Sequence, residues 1–138
     1  MDLATDFRES LTAHLSPRGL DVLLWRGGTR TSTHLLEIST TPQPTVLYVK
    51  GSSNIPGFWG LTKNQLDCLS GTNSRWFCVF LHKSPSAGYL LSGDHILVRV
   101  LDGRLTLSND GDYKVNERAE FVSSQRFDSL HALISRAL

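Results

Sequence analysis

The segment that most restricts the fold is TVLYVKGSSNIPGFWGLTKNQ, residues 45–65. Val46 to Val49 form a run of β-branched, aromatic and aliphatic side chains, the composition of a strand, and Lys50 closes it. A turn rich in glycine and serine follows, and then Thr62 and Gln65 stand at the spacing of a capping box that opens a helix. A chain that leaves a strand through a helix has room to cross over before the next strand, whereas hairpin-length loops force antiparallel neighbours. The pattern therefore predicts a sheet of mixed direction with at least one helix laid against it.

The rest of the chain fits around that segment. Leu3, Phe7, Leu11 and Leu15 recur every four residues and mark one face of a helix that Pro17-Arg-Gly stops. LDVLLW (20–25) and THLLEIS (33–39) read as strands, separated by the polar turn GGTRTS (27–32), and TTPQP joins the second to TVLYVK. After the turn comes a short helix with Leu66 and Leu69 facing inward, ending near Ser70-Gly71, and then the strand RWFCVFLH (75–82). GYLLS (88–92), ILVRVL (96–101) and RLTLS (104–108) are further strand candidates. Phe127, Leu130, Leu133, Ile134 and Leu138 give a closing amphipathic helix. The expectation is a single α/β domain over residues 1–138, with a mixed central sheet flanked by helices. Its core spans about 3–82, and a strand-rich extension with the closing helix spans about 83–138. Leu47, Val49, Phe77 and Val79 should be buried in the sheet, with Leu11, Leu15 and Leu66 packing helices onto it.

Composition removes several classes of function. With 138 residues the chain holds one sizeable core. Fourteen basic against thirteen acidic residues leave a formal charge of +1, so a polyanionic partner would have to be met by a local patch. No apolar run approaches the roughly 20 residues that cross a bilayer, and the N-terminus MDLATDFRES is no secretory signal, which points to the cytoplasm and away from membranes. Cys68 and Cys78 sit among apolar neighbours without CxxC spacing and read as small buried hydrophobes. GxSxG and GxxxxGK[ST] are absent. SNDGDYKVNE (108–117) lacks the offsets of a calcium loop and reads as a turn between strands.

Strand alternation places Val46, Tyr48 and Lys50 on one face and Leu47 and Val49 on the other. If Leu47 and Val49 enter the core, Tyr48 and Lys50 point together toward a groove or solvent. On the neighbouring strand His34 and Leu36 share one face, Leu35 and Glu37 the other. One register would bring an imidazole or a carboxylate to the lysine.

This arrangement resembles the PD-(D/E)XK nuclease superfamily, the restriction-endonuclease-like fold. Its core runs helix, three antiparallel strands, helix and strand, with an acid near the second strand and an acid-x-lysine ending the third. LYVKGSS is similar to the third-strand motif with Lys50 as its lysine, THLLEIS takes the place of the second strand, and LTKNQLDCL that of the following helix with its glutamine. The resemblance covers about residues 3–82. It implies an αβββαβ core, a catalytic set of Glu37, Lys50 and Gln65, and Mg²⁺ held at Glu37. It further implies contacts to DNA or RNA from Lys50, Ser52, Ser53, Trp59 and Lys63.

The acid positions depart from the pattern: Tyr48 stands two before the lysine, and His34 or Glu37 replaces the second-strand aspartate. Mg²⁺ takes oxygen ligands, above all carboxylates, and a phenol substitutes poorly. The implied activity is therefore a degenerate metal-dependent endonuclease with weak or no cleavage. The alternative is a non-catalytic protein-interaction or regulatory module of a bacterial defence or mobile-element system that binds a protein partner. Each residue also has a plainer reading. Lys50 ends a strand, Gln65 caps a helix, Glu37 is solvated, His34 is half-buried, and Phe58, Trp59 and Trp76 pack in the core.

Overall fold

The structure, a computed structural model, describes residues 2–138. Helix α1 (Leu3–Leu15) starts at Asp2, whose carboxylate accepts hydrogen bonds from the Ala4 amide at 3.1 Å and the Thr5 hydroxyl at 2.8 Å. A short 3₁₀ turn over Ser16–Arg18 ends it, and Gly19 turns the chain with φ 73, a left-handed conformation that glycine adopts freely. Strands β1 (Val22–Leu24), β2 (Leu35–Ile38) and β3 (Thr45–Ser52) form an antiparallel meander. Strand β4 (Phe58–Thr62) then leads into α2 (Lys63–Ser70), and β5 (Arg75–Ser84) returns parallel to β3, with Thr45 opposite Arg75 and Ser52 opposite His82. The chain continues through β6 (Ala87–Ser92), α3 (Gly93–Leu101), β7 (Asp112–Asn116), α4 (Glu117–Glu120), β8 (Arg126–Phe127) and α5 (Leu130–Ala137).

Six strands make one mixed sheet in the order β1-β2-β3-β5-β6-β8, and β4 pairs with β7 in a separate two-stranded ribbon. Strands β3 and β5 lie at the centre and are covered on both faces, so both parities of their side chains are buried. Leu47, Val49, Val79 and Leu81 join Phe7, Leu11 and Leu15 of α1 and Leu133 and Ile134 of α5 in one core. Val46, Tyr48, Cys78 and Phe80 face the other way. There they meet Leu66 and Leu69 of α2, Ile96 of α3, and Trp59, Leu61 and Val115 of the ribbon. Of the expected core, Leu47, Val49, Val79, Leu11, Leu15 and Leu66 are buried and Phe77 is partly buried.

The part beyond residue 82 differs from expectation. ILVRVL is helical, because Ser92 caps the segment by accepting from the His95 amide and Ile96 then turns inward on the helical period; tertiary context overrides its β-branched composition. RLTLS contributes only an isolated bridge, Leu107 with Tyr113. Two strands lie within segments read as turns. FWGLT is β4, where Trp59 and Leu61 alternate inward and Gly60 lies beneath the Asp112 carboxylate, which a Cβ there would approach to 2.8 Å. DYKVN is its partner β7. Phe127 belongs to β8, and the closing helix begins at Leu130.

Candidate functional site

The C-terminal half of β3, the chain entering β2 and the N-terminus of α2 enclose a hollow of about 320 Å³, lined by Arg30, His34, Tyr48, Lys50, Asn64 and Gln65 among others. That volume is at the lower end of small-ligand sites, enough for a phosphate group and its neighbours. Lys50 also borders a smaller adjoining hollow with Asp2, His34, Ser52 and Ser53. Among the described residues its ammonium enters no ion pair, and neither does the exposed guanidinium of Arg30.

Strand alternation sends Tyr48 and Lys50 to the same side and to the same hollow, as expected, but Tyr48 is only 3% exposed and is a largely buried part of its wall. Its hydroxyl oxygen accepts a hydrogen bond from the Thr62 amide at 3.1 Å, tying β3 to the residue that caps α2. Burial, ahead of the opposing hydrogen bond, pushes the phenol's pKa up, so Tyr48 stays neutral. Thr62 occupies the N-cap without a capping bond from its own side chain, so no capping box forms.

His34 is fixed twice by Val49. Its carbonyl accepts from the Val49 amide at 2.7 Å, and its ring Nδ1 lies 3.0 Å from the Val49 carbonyl, which can only accept, so Nδ1 carries the hydrogen. Nearby, the Asp2 carboxyl is held below the usual range, first by the Thr5 hydroxyl, with burial opposing and the Ala4 amide and His34 assisting. Gln65 is buried, and its Oε1 has no hydrogen-bond partner. The amide lies against Gly28, where a Cβ would come within 2.4 Å of Oε1, so a larger residue there would displace the end of the Gln65 side chain.

The structure brings Lys50 and Gln65 to one hollow and leaves Glu37 elsewhere. The β2–β3 register sets Leu35 opposite Tyr48 and Glu37 opposite Val46, and Val46 lies four residues, roughly 13 Å of strand, from Lys50. Glu37 borders a different depression with Arg8 and Arg26. Of the two registers left open by the sequence, the one formed gives the lysine an imidazole and not a carboxylate.

The expected contact residues also separate. Ser53 is exposed beside Lys50. Ser52 is buried, and its hydroxyl oxygen accepts from the Asn54 and Phe58 amides, both at 3.2 Å, so it holds a turn. Trp59 corrects the expectation of base stacking: it is 2% exposed, donates its indole N–H to the Leu81 carbonyl at 3.0 Å, and meets Phe80, His82, Tyr89 and Phe121 edge-on. Lys63 is exposed but paired with Asp67 at 2.7 Å one helical turn on, which raises its pKa. Arg30, Asn64 and Asp2 are members of the site that sequence reasoning missed; they come from a turn and two helix starts and carry no periodic signal.

The donor set does not fit Mg²⁺. No carboxylate lines the main hollow, Tyr48 is neutral and committed to Thr62, and Lys50 and Arg30 would repel a cation. Among the described residues no group of three His, Cys, Asp or Glu side chains converges as metal ligands. The hollow instead presents donors, an ammonium, a guanidinium and the side-chain amide of Asn64, beside the unpartnered Oε1 acceptor of Gln65.

No family model matches the sequence, and no curated protein matches it either. Among solved structures, Hjc, a Holliday junction resolvase from the archaeal hyperthermophile Archaeoglobus fulgidus, aligns over 85% of this chain and 86% of its own, with a TM-score of 0.52 and 12% identity. That resolvase belongs to the PD-(D/E)XK nuclease superfamily. The chain has the restriction-endonuclease-like fold. Within this fold the meander β1–β3 and the parallel β5 are the scaffold, and the hollow at Lys50 lies where β3 ends and α2 begins. No helix among the described residues is long and apolar enough to cross a membrane.

Proposed function

We propose that this nuclease-like domain binds nucleic acid by its phosphate backbone at the Lys50 hollow, and that it cleaves weakly or not at all. The observation that carries this reading is the hollow's content: unpaired Lys50, exposed Arg30, His34 and Asn64, with no lining carboxylate. A phosphate offers only acceptors and negative charge, so ammonium, guanidinium and amide donors suit it. Cleavage of the type that the resemblance implies needs a metal-bound water, and nothing in this hollow holds the metal.

The test is fluorescence anisotropy with labelled single- and double-stranded DNA at two salt concentrations, alongside incubation with Mg²⁺ or Mn²⁺. Salt-dependent binding with uncut probes is the expected result. Robust cleavage that disappears in Lys50→Ala would overturn the second half of the proposal, and absence of salt-dependent binding to DNA or RNA would overturn the first. In that last event a protein-interaction role takes over, for which one feature speaks: α3 leaves Val98 58% and Leu101 87% exposed.

A further inference from the structure

The turn that follows Lys50, residues 53–58, combines a tightly held backbone with outward apolar side chains. The Ser52 hydroxyl accepts from the Asn54 and Phe58 amides. His82 Nε2 donates to the Asn54 carbonyl at 2.7 Å. The Glu117 carboxylate accepts from the Gly57 amide at 2.8 Å, and the Glu117 amide donates to the Gly57 carbonyl at 3.0 Å. At Gly57 a Cβ would lie 2.4 Å from the Trp59 ring, so the turn is pressed onto the core. Ser52 and His82 are buried. Yet Ile55 is 76% exposed and Phe58 44% exposed.

A turn with no task beyond joining two strands would carry polar side chains at such positions, because water solvates them at no cost. Single exposed apolar residues are ordinary. Two on one rigid turn, which starts three residues after an unpaired lysine, exceed what a plain connection carries. Ser52 and Ser53 line the smaller adjoining hollow together with Lys50, His34 and the Asp2 carboxylate, so the turn borders the lysine that the main hollow also contains. The charge beside it selects a polyanion, and the apolar pair selects a flat apolar face on that polyanion. In a continuous duplex the bases are stacked on one another and offer only their edges; an unpaired base offers its face.

Resting on the phosphate-binding reading above, we infer that the turn at residues 53–58 is a preformed lip that seats an unpaired base of the bound strand against Phe58 and Ile55, so that the preferred substrate class is nucleic acid with unpaired bases next to a phosphate held at Lys50. The hydrogen bonds from Ser52, His82 and Glu117 hold the lip before binding, which spares the ordering cost that a mobile loop would impose.

The full chain and its Lys50→Ala, Ile55→Ser and Phe58→Ser variants are titrated by anisotropy against two labelled probes, a blunt two-stranded DNA duplex and the same duplex with an unpaired 3′ overhang. Phe58→Ser should weaken overhang binding about tenfold, as loss of a base–aromatic stack does, with Ile55→Ser weakening it less. Neither should change the blunt probe or the salt slope. Lys50→Ala should weaken both probes and lower the slope of log affinity against log salt by about 0.7–0.9. Both lip positions are exposed, so the variants fold, and Phe58→Trp should restore overhang binding. If Phe58→Ser and Ile55→Ser bind the overhang as wild type while Lys50→Ala still weakens it, the lip is refuted and phosphate binding stands. If those variants change only self-association, the tip is a protein contact and the inference is likewise refuted. If the wild type binds neither probe, the phosphate reading itself fails.

Discussion

The two faces of the six-stranded sheet are packed from different materials. Toward α1 and α5 the core is aliphatic, with Phe7 and Phe127 its only buried aromatics. Toward α2, α3 and the β4–β7 ribbon the core contains Trp25, Tyr48, Trp59, Trp76 and Phe80, and buried polar residues stand on the elements of that side, Gln65 on α2, Arg99 on α3 and His82 against Trp59, whereas Thr45 is the buried polar residue that β3 turns toward the aliphatic face. Strand β3 shows the division residue by residue. Leu47 and Val49 serve the aliphatic layer; Val46, Tyr48, Lys50 and Ser52 run from the aromatic core to the hollow. One layer supplies rigidity, and the other spends part of its packing on polar groups that shape a site.

The strongest way to test that division is Phe7→Ala. Phe7 is fully buried in the aliphatic layer, so the truncation should cost about 3–5 kcal/mol in urea unfolding. Among the molecules still folded, DNA affinity should be nearly unchanged, because no buried side chain of that layer lines the main Lys50 hollow. A loss below about 1 kcal/mol would show that α1 does not anchor the sheet.

On the opposite face Tyr48→Phe keeps the ring and removes only the oxygen that accepts from the Thr62 amide. A donor left unsatisfied there costs about 1–3 kcal/mol. The same change should loosen the start of α2, which hydrogen exchange at Thr62 reads directly. Equal exchange in the two proteins would mean that the phenol fills space and does not hold the helix.

These residues also show what the sequence discloses. The meander, the crossover and the parallel β5 were legible up to His82, because apolar alternation and glycine or proline punctuation are local signals. Beyond it, α3 hid behind β-branched residues, although Ser92 at its start was a readable cap. β4 was obscured by the flanking Gly57 and the internal Gly60, which read as turn residues; Gly57 lies against the ring of Trp59 two residues on, and Gly60 faces Asp112 of the distant β7. In the hollow, Lys50 and Gln65 stood out by position. Glu37 depended on the β2–β3 register, which alternation alone leaves open. Arg30 and Asn64 arrive by tertiary folding, and the parity of β4 turns Trp59 inward while leaving Phe58 exposed.

The smallest expected effect concerns the polar edge of the aromatic layer. Burial opposes ionisation of Glu117, but hydrogen bonds from the Gly57 amide and the Tyr89 hydroxyl, with His82 Nδ1 at 3.2 Å and Arg126 nearby, hold its carboxyl below the ordinary value of 4.5. The unfolded chain therefore takes up this proton at higher pH than the folded one. The stabilisation is fully present above about pH 4.5 and is lost as pH falls through the lower folded value. Glu117→Gln should cost about 1 kcal/mol at pH 7, since the amide still accepts from Gly57 but gives up a charge-assisted bond from Tyr89. It should also flatten the acid limb, so that variant and wild type converge in urea midpoint as the pH drops toward 3. No comparable convergence should follow Phe7→Ala, whose cost involves no proton. Parallel curves for Glu117→Gln and wild type across that range would show that the carboxylate is not what holds the turn at residues 53–58 to the sheet.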